Sequence, residues 1–418
     1  MALIKPFEGI IYNSKNSKDI TGKVAPPYDV IKPKLQTELY VKDPDNIIRI
    51  ILGKEESSDQ GDEIYQRASG YYQNWVADSI LVKDKKPGYY IWDQTFNLNG
   101  VDFTRRALVA KVRSLPFNKG EIIPHEKTHA GPKVDRLKLF QSCKAQFSQV
   151  FSLYSDQNGD IAKILKKYTK SPIIIADYDG VINKLYKITA PSALHTIQSE
   201  FKKQALYIAD GHHRYETSVA YFEELKKEGN TLMSLVSRED PGLIILPTHR
   251  AVKINMSDFI AYQRLNRNFV IQKGNYAEWP KFVEQLNKME GRHIFGFANR
   301  KLGLSGIMRP LEQLEYMEPW KGKKEVWKNL DVSALHTIVF QSIFKMNGDD
   351  IFKLGPIYYS HKPEDCIEQL DENYNWVFFL RQTKMKQLIE VADAGEIMPP
   401  KSTFFYPKYL SGFINAEL

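Results

Sequence analysis

Leu206-Tyr-Ile-Ala-Asp210-Gly-His-His-Arg214-Tyr-Glu-Thr217 is the stretch on which the reading of the fold turns. A short apolar run is broken by Asp-Gly. Val219, Phe222 and Leu225 then recur at helical spacing, opposite Glu223, Glu224, Lys226 and Lys227. The segment predicts a strand, a tight turn and a helix start. At such a turn Asp210 is expected to cap the helix, and Gly211 lets another group approach the backbone closely. The first amides of a helix carry partial positive charge and suit a phosphate, with His212, His213 and Arg214 as further donors. The bland alternative is a capped helix with surface histidines.

Working outward, Ile122-Ile-Pro124-His125-Glu126-Lys-Thr-His129-Ala-Gly131-Pro132-Lys133-Val-Asp135-Arg136-Leu137 contains a literal H-E-x-x-H. On a helix that spacing sets two zinc-ligating imidazoles on one face with a glutamate base between them. Pro124 before the motif and Gly131-Pro132 after it are expected to leave the helix too short. Glu126 then reads as a loop carboxylate, beside His125, able to deprotonate a hydroxyl, with Lys133 and Arg136 neutralising phosphate charge. A solvated polar loop is the alternative. Asp240 to Arg250 predicts a turn feeding a buried strand whose tip presents His249 and Arg250, as site residues or as caps of the sheet edge. Met398-Pro-Pro-Lys401-Ser402-Thr403 lacks the glycines of a phosphate-binding loop. It offers Lys401 and Ser402 to a site, or docks the tail through its aromatic run. Pro26-Pro27 stiffens a turn presenting Tyr28 and Asp29.

Asn99-Gly100 between two period-two runs, Tyr89 to Phe96 and Phe103 to Ala110, predicts an antiparallel hairpin. Helical spacing is expected over 59–78, 135–147, 276–290 and 364–371, and strands near 173–176, 206–209 and 375–381. The alternation predicts an α/β or α+β fold with a mixed sheet core.

The chain has 418 residues, 43% hydrophobic and 26% charged, enough for two or three domains each with its own core. Cys143 and Cys366 stand far apart, so neither a disulfide framework nor a cysteine zinc site is available. Cys143 is expected in a core. A formal charge of +8, spread along the chain, fits an anionic ligand rather than a dedicated nucleic-acid surface. Pro6 and Glu8 interrupt any signal-peptide core, and the apolar runs are too short to span a membrane, so a cytoplasmic location with no membrane partner is expected.

Taken together, Ala25 to Ile31, His125-Glu-x-Thr with Pro132-Lys-x-Asp-Arg-Leu137, Ala209 to Thr217, Leu246-Pro-Thr-His-Arg250 and Met398 to Thr403 resemble the bacterial family catalogued as domain of unknown function 1015. The resemblance covers nearly the whole chain, implies no fixed second histidine in H-E-x-x-H, and by itself confers no activity. More distantly, the Asp-Gly-His-His-Arg turn is similar to the nucleotide-binding turn of the ParB and sulfiredoxin superfamily, which includes kinases of free L-serine. That resemblance implies a nucleotide-binding catalytic core over 111–250, with α+β regions at 1–110 and 251–418. It implies Glu126 as base, aided by His125, and Asp210, Gly211, His212, His213, Arg214 and Thr217 around the phosphates of ATP or ADP or their Mg²⁺, which Asp210 could touch. The activity implied is Mg²⁺-dependent phosphorylation of a small hydroxyl compound, free L-serine to O-phosphoserine. Two alternatives stay open: a nucleotide-binding regulatory or DNA-associated protein, and a zinc hydrolase built on His125, Glu126 and His129. The oligomeric state is left undetermined by the sequence.

Overall fold

Asn99 and Gly100 both take positive φ, 53° and 81°, as the two central residues of a tight hairpin turn require. They join the strands Tyr89–Leu98 and Val101–Arg113, paired antiparallel from Tyr90 opposite Val109 to Leu98 opposite Val101. The expected hairpin is therefore present. It is the centre of a nine-stranded mixed sheet in the computed structural model, which describes residues 2–15, 17–57, 59–126, 130–311, 320–346, 355–371 and 373–418. Across the sheet the order is Ile122–Ile123, Leu206–Asp210, Val150–Tyr154, Asn230–Ser237, Val101–Arg113, Tyr89–Leu98, Val181–Ile188 and Ile174–Tyr178, with Ile4–Lys5 also against Val101–Arg113. The two pairings Asn230–Ser237 with Val150–Tyr154 and Leu206–Asp210 with Ile122–Ile123 are parallel, and the others antiparallel.

The fold is thus mixed α/β, in two compact units among the described residues. One takes in Met1–Pro124, Thr128–Ile244 and Pro407–Leu418, the other His125–Lys127 and Ile245–Tyr406. In the first, Ile91, Leu108, Ile208, Tyr215 and Leu235 share one buried core with the helix Pro191–Phe201 through Ile197 and Phe201. The second has a six-stranded antiparallel sheet ordered Phe269–Asn275, Leu304–Pro310, Phe295–Asn299, Trp376–Phe379, His249–Val252 and Ile357–Ser360. Its core gathers Ala251, Phe282, Leu286, Ile307, Val377 and Phe379.

Most expected elements are found with shifted ends, such as the helices Glu63–Ala77 and Pro363–Glu368. Two expectations need correction. Gly131-Pro132 does not stop a helix; the helix Ala130–Cys143 begins there. Proline is tolerated in a first turn, where its missing N–H has no intrahelical acceptor in any case. The same helix does not reach Phe147: Lys144 turns to φ 52° and ends it, and Ala145–Gln146 pairs with Ala416–Glu417. Cys143 is buried at the helix end, and burial pushes its thiol up to about 12. Among the described residues no helix is long and apolar enough to cross a membrane.

Candidate functional site

The ladder that carries the decisive turn is irregular at its end. Ile208 faces Ser152 but Asp210 faces Phe151, so Ala209 is the extra residue of a bulge, a device that re-aims the side chain after it. Gly211 follows at φ 91° and ψ 31°, and the helix His212–Glu224 starts from it. The N-cap position falls on Gly211, which has no side chain, and Asp210 stands one residue before it. Its carboxylate is instead held by two cations: Arg214 Nη2 donates to Oδ2 at 2.7 Å, and Lys408 Nζ donates to Oδ1. Two full positive charges attract it more than the partial charge of helix amides. Arg214 also donates through Nη1 to the Gln149 carbonyl. It folds so closely over the turn that a Cβ on Gly211 would lie 2.9–3.0 Å from its guanidinium. Glycine is required here both for φ and for space.

Asp210, Arg214 and Lys408 line a small cavity together with Pro27, Gln149 and Tyr409. Gln149 is buried; its Nε2 donates to the Ile414 carbonyl at 2.5 Å, and its Oε1 has no partner among the described residues. Arg105 lies fully buried between the rings of Phe151 (4.9 Å) and Tyr409 (4.6 Å) and donates to Gln94 Oε1 and the Pro407 carbonyl. Burial lowers its pKa, while Tyr409, Asp240 and Asp210 oppose that shift.

The Pro-Pro turn approaches the same place. Tyr28, on the 3₁₀ turn Tyr28–Val30, has the Arg136 guanidinium 4.1 Å over its ring; burial raises its pKa, and Arg136 and Arg214 draw it back. Asp29 on that turn is exposed. Arg136 donates to Asp135 and to the Ile51 carbonyl, and Lys133 pairs with Glu216 at 2.6 Å. Thr217 donates its hydroxyl to the His213 carbonyl at 2.7 Å. His212 and Arg214 are buried, not surface groups. The first unit thus assembles residues from four distant segments around one carboxylate.

His125 and Glu126 belong to the second unit. Glu126 bridges in parallel to Met398, and the Lys401 N–H donates to Glu126 Oε1 at 3.1 Å. His125 is buried; its carbonyl accepts from Met398 N–H at 2.9 Å, and its Nε2 lies 3.3 Å from Thr403 Oγ1. The Lys401 carbonyl accepts from Arg250 Nη2 at 3.0 Å, so Glu126 and Arg250 are tied to the two sides of one residue. Ser402 donates to the Pro399 carbonyl at 2.5 Å and accepts from Thr383 on its own carbonyl. His249 Nδ1 accepts from Leu380 N–H, and burial, reinforced by Arg250, holds its pKa down to about 3. Lys127, Thr128 and His129 of the H-E-x-x-H segment lie outside the described residues. Among the described residues no three His, Cys, Asp or Glu side chains are grouped to hold a metal ion.

Sequence reasoning missed Lys408, Gln149, Arg105 and Tyr409 in the first unit. Lys408 is 198 residues from Asp210, and nothing local marks it.

Fold and site define an α/β protein with a strand-to-helix elbow that gathers cations on a carboxylate. The chain belongs to the family described as "Protein of unknown function (DUF1015)", whose model matches residues 4–333. No curated protein matches it. Among solved structures it is similar to a free serine kinase in complex with AMP, at 12% identity and TM-score 0.36, covering 72% of this chain and 86% of that one. It is also similar to a conserved hypothetical protein from Pyrococcus furiosus, at 11% identity and TM-score 0.36, covering 75% and 94%. A third is SbnI with C-terminal truncation from Staphylococcus aureus, at 9% identity and TM-score 0.36, covering 72% and 85%. At that TM-score the likeness decides neither the topology nor the chemistry of this chain.

Proposed function

We propose that the chain is a phosphotransferase that grips nucleotide phosphates at the Asp210–Arg214 elbow and moves a phosphoryl group from ATP or ADP to a small hydroxyl compound, free L-serine in the first instance. The observation that carries this reading is the elbow: a helix that starts from a glycine at φ 91°, with Arg214 and Lys408 converging on Asp210. Phosphoryl transfer asks mostly for positioning and charge neutralisation, which amides and cations supply. Arg136, paired with Asp135, packs over the Tyr28 ring beside the elbow, and Gln149 Oε1, an acceptor with no partner among the described residues, suits an N–H or O–H of the nucleotide.

Both Asp210 oxygens are engaged by cations, so Mg²⁺ suits this residue set when its oxygen ligands come chiefly from the nucleotide phosphates. Bound there, it supplies neutralisation of phosphate charge. Glu126 is assigned as the base that takes the acceptor hydroxyl proton, its Oε1 oriented by the Lys401 N–H.

The test is direct. Purified chain with ATP or ADP, Mg²⁺ and L-serine is expected to form O-phosphoserine; no product with either nucleotide removes serine as acceptor. Glu126→Gln is expected to abolish turnover with nucleotide affinity retained. Parallel loss of both would remove Glu126 from the base role.

A further inference from the structure

Arg250 is 1% exposed, and no carboxylate is among its hydrogen-bond partners in the described residues. Its Nε donates to His336 Nε2 at 3.3 Å, Nη1 to the Thr248 carbonyl and Nη2 to the Lys401 carbonyl. Those bonds use three of the five N–H donors of a guanidinium. A buried cation left without a counter-ion is costly to hold, and burial depresses its pKa to about 10. None of its hydrogen-bond partners carries a negative charge. His336 is kept neutral by burial and by Arg250; since Nε2 accepts, its proton sits on Nδ1. His249 is neutral for the same reasons, and Tyr359 lies 5.4 Å from the guanidinium with its pKa raised by burial.

Arg250 lines a small cleft together with Thr248, Thr383, Ser402, Arg381 and Asp331. Asp331 is neutralised by Arg381 at 2.7 Å, so the charge of Arg250 is the charge of the cleft. Thr248 is 6% exposed, and its hydroxyl has no partner among the described residues. A buried hydroxyl left unsatisfied beside a buried unpaired cation is what an oxyanion would complete.

We infer that this cleft is a subsite for a small oxyanion, a carboxylate or a phosphate group, held by the Arg250 guanidinium and the Thr248 hydroxyl. Phosphotransfer is not needed for it. If Arg250 were only a pin between Thr248 and Lys401, no anion would bind.

Full-length chain is titrated with inorganic phosphate, followed by ³¹P line width, and with L-serine, followed calorimetrically; acetate is the minimal carboxylate. Saturable binding of phosphate alone assigns the cleft to phosphate, and binding of L-serine and acetate assigns it to a carboxylate. Thr248→Val is expected to weaken whichever probe binds by roughly tenfold or more, the loss of one hydrogen bond to a charged group. Because the hydroxyl has no partner among the described residues, the same variant should keep its thermal midpoint. Arg250→Lys, which retains charge but not the fork, is the second variant. Lys408→Met tells the two anion sites apart: binding that survives Lys408→Met and weakens in Thr248→Val belongs to this cleft. No binding by any probe, wild-type affinity in Thr248→Val, or loss in Lys408→Met alone overturns the inference. The serine phosphorylation assay is read separately, so either proposal can fail without the other.

Discussion

Gly211→Ala tests the elbow most sharply. The backbone there is at φ 91°, where an L side chain pays a penalty of about 1–2 kcal/mol. The new methyl would also stand 2.9–3.0 Å from three atoms of the Arg214 guanidinium. Arg214 must then move off Asp210 and the Gln149 carbonyl, weakening charged hydrogen bonds by about 1–2 kcal/mol. The two effects together predict a loss of about 2–4 kcal/mol, or a melting midpoint lower by roughly 5–15 °C for a unit of this size. Gly100→Ala is the matched control, with φ 81° but open space around the added carbon, so it carries the backbone penalty alone. Thermal unfolding of both variants, with a fluorescent ADP analogue as ligand, separates the contributions. Gly211→Ala should lose more stability than Gly100→Ala and should alone weaken nucleotide binding. Equal destabilisation, with nucleotide affinity intact, would show that Arg214 is not locked beneath the turn and that the elbow does not grip phosphate.

Lys408→Met leaves Asp210 with Arg214 as its cation; nucleotide affinity should fall several-fold and depend less steeply on salt, and an unchanged salt dependence refutes the role. The second unit should be acid-labile. His249 has a folded pKa of about 3 against 6.5 for a free histidine, so the unfolded chain takes up the proton first. Its stabilisation is complete above pH 6.5 and is lost as pH falls toward 3, with a slope of up to about 1.4 kcal/mol per pH unit. Denaturant titrations across that window should show the slope and a shallower one in His249→Phe; equal slopes count against it. Gly229→Ala would drive a methyl into the Phe222 ring, which packs with Phe140 and Tyr221, and should cost about 1–3 kcal/mol in a denaturant titration.

Local features of the fold were legible because their causes are local. Asn99-Gly100 supplies both positive-φ residues of its hairpin, and the apolar run before Asp210 with the spacing after it specifies strand, turn and helix within twenty residues. Where local signals competed, the reading failed. Gly131-Pro132 fits a helix stop or a first turn equally well in sequence, and the chain uses it as a first turn. Asp210 has the residue type of a helix cap, yet one of the two cations on its carboxylate is a lysine 198 positions away.

Composition and spacing by themselves determined the mixed α/β class, the elbow and the residue types that bring positive charge to it, since periodicity and turn chemistry depend on near neighbours. Tertiary structure alone decided which charges meet. Strand order lays Val150–Tyr154 beside Leu206–Asp210, which puts Gln149 within reach of Arg214, and the returning segment Pro407–Leu418 brings Lys408 onto Asp210. It also left Arg250 buried with carbonyls and a neutral histidine for company. Ion pairs and burial depend on distance in space, which the order of residues along the chain does not encode.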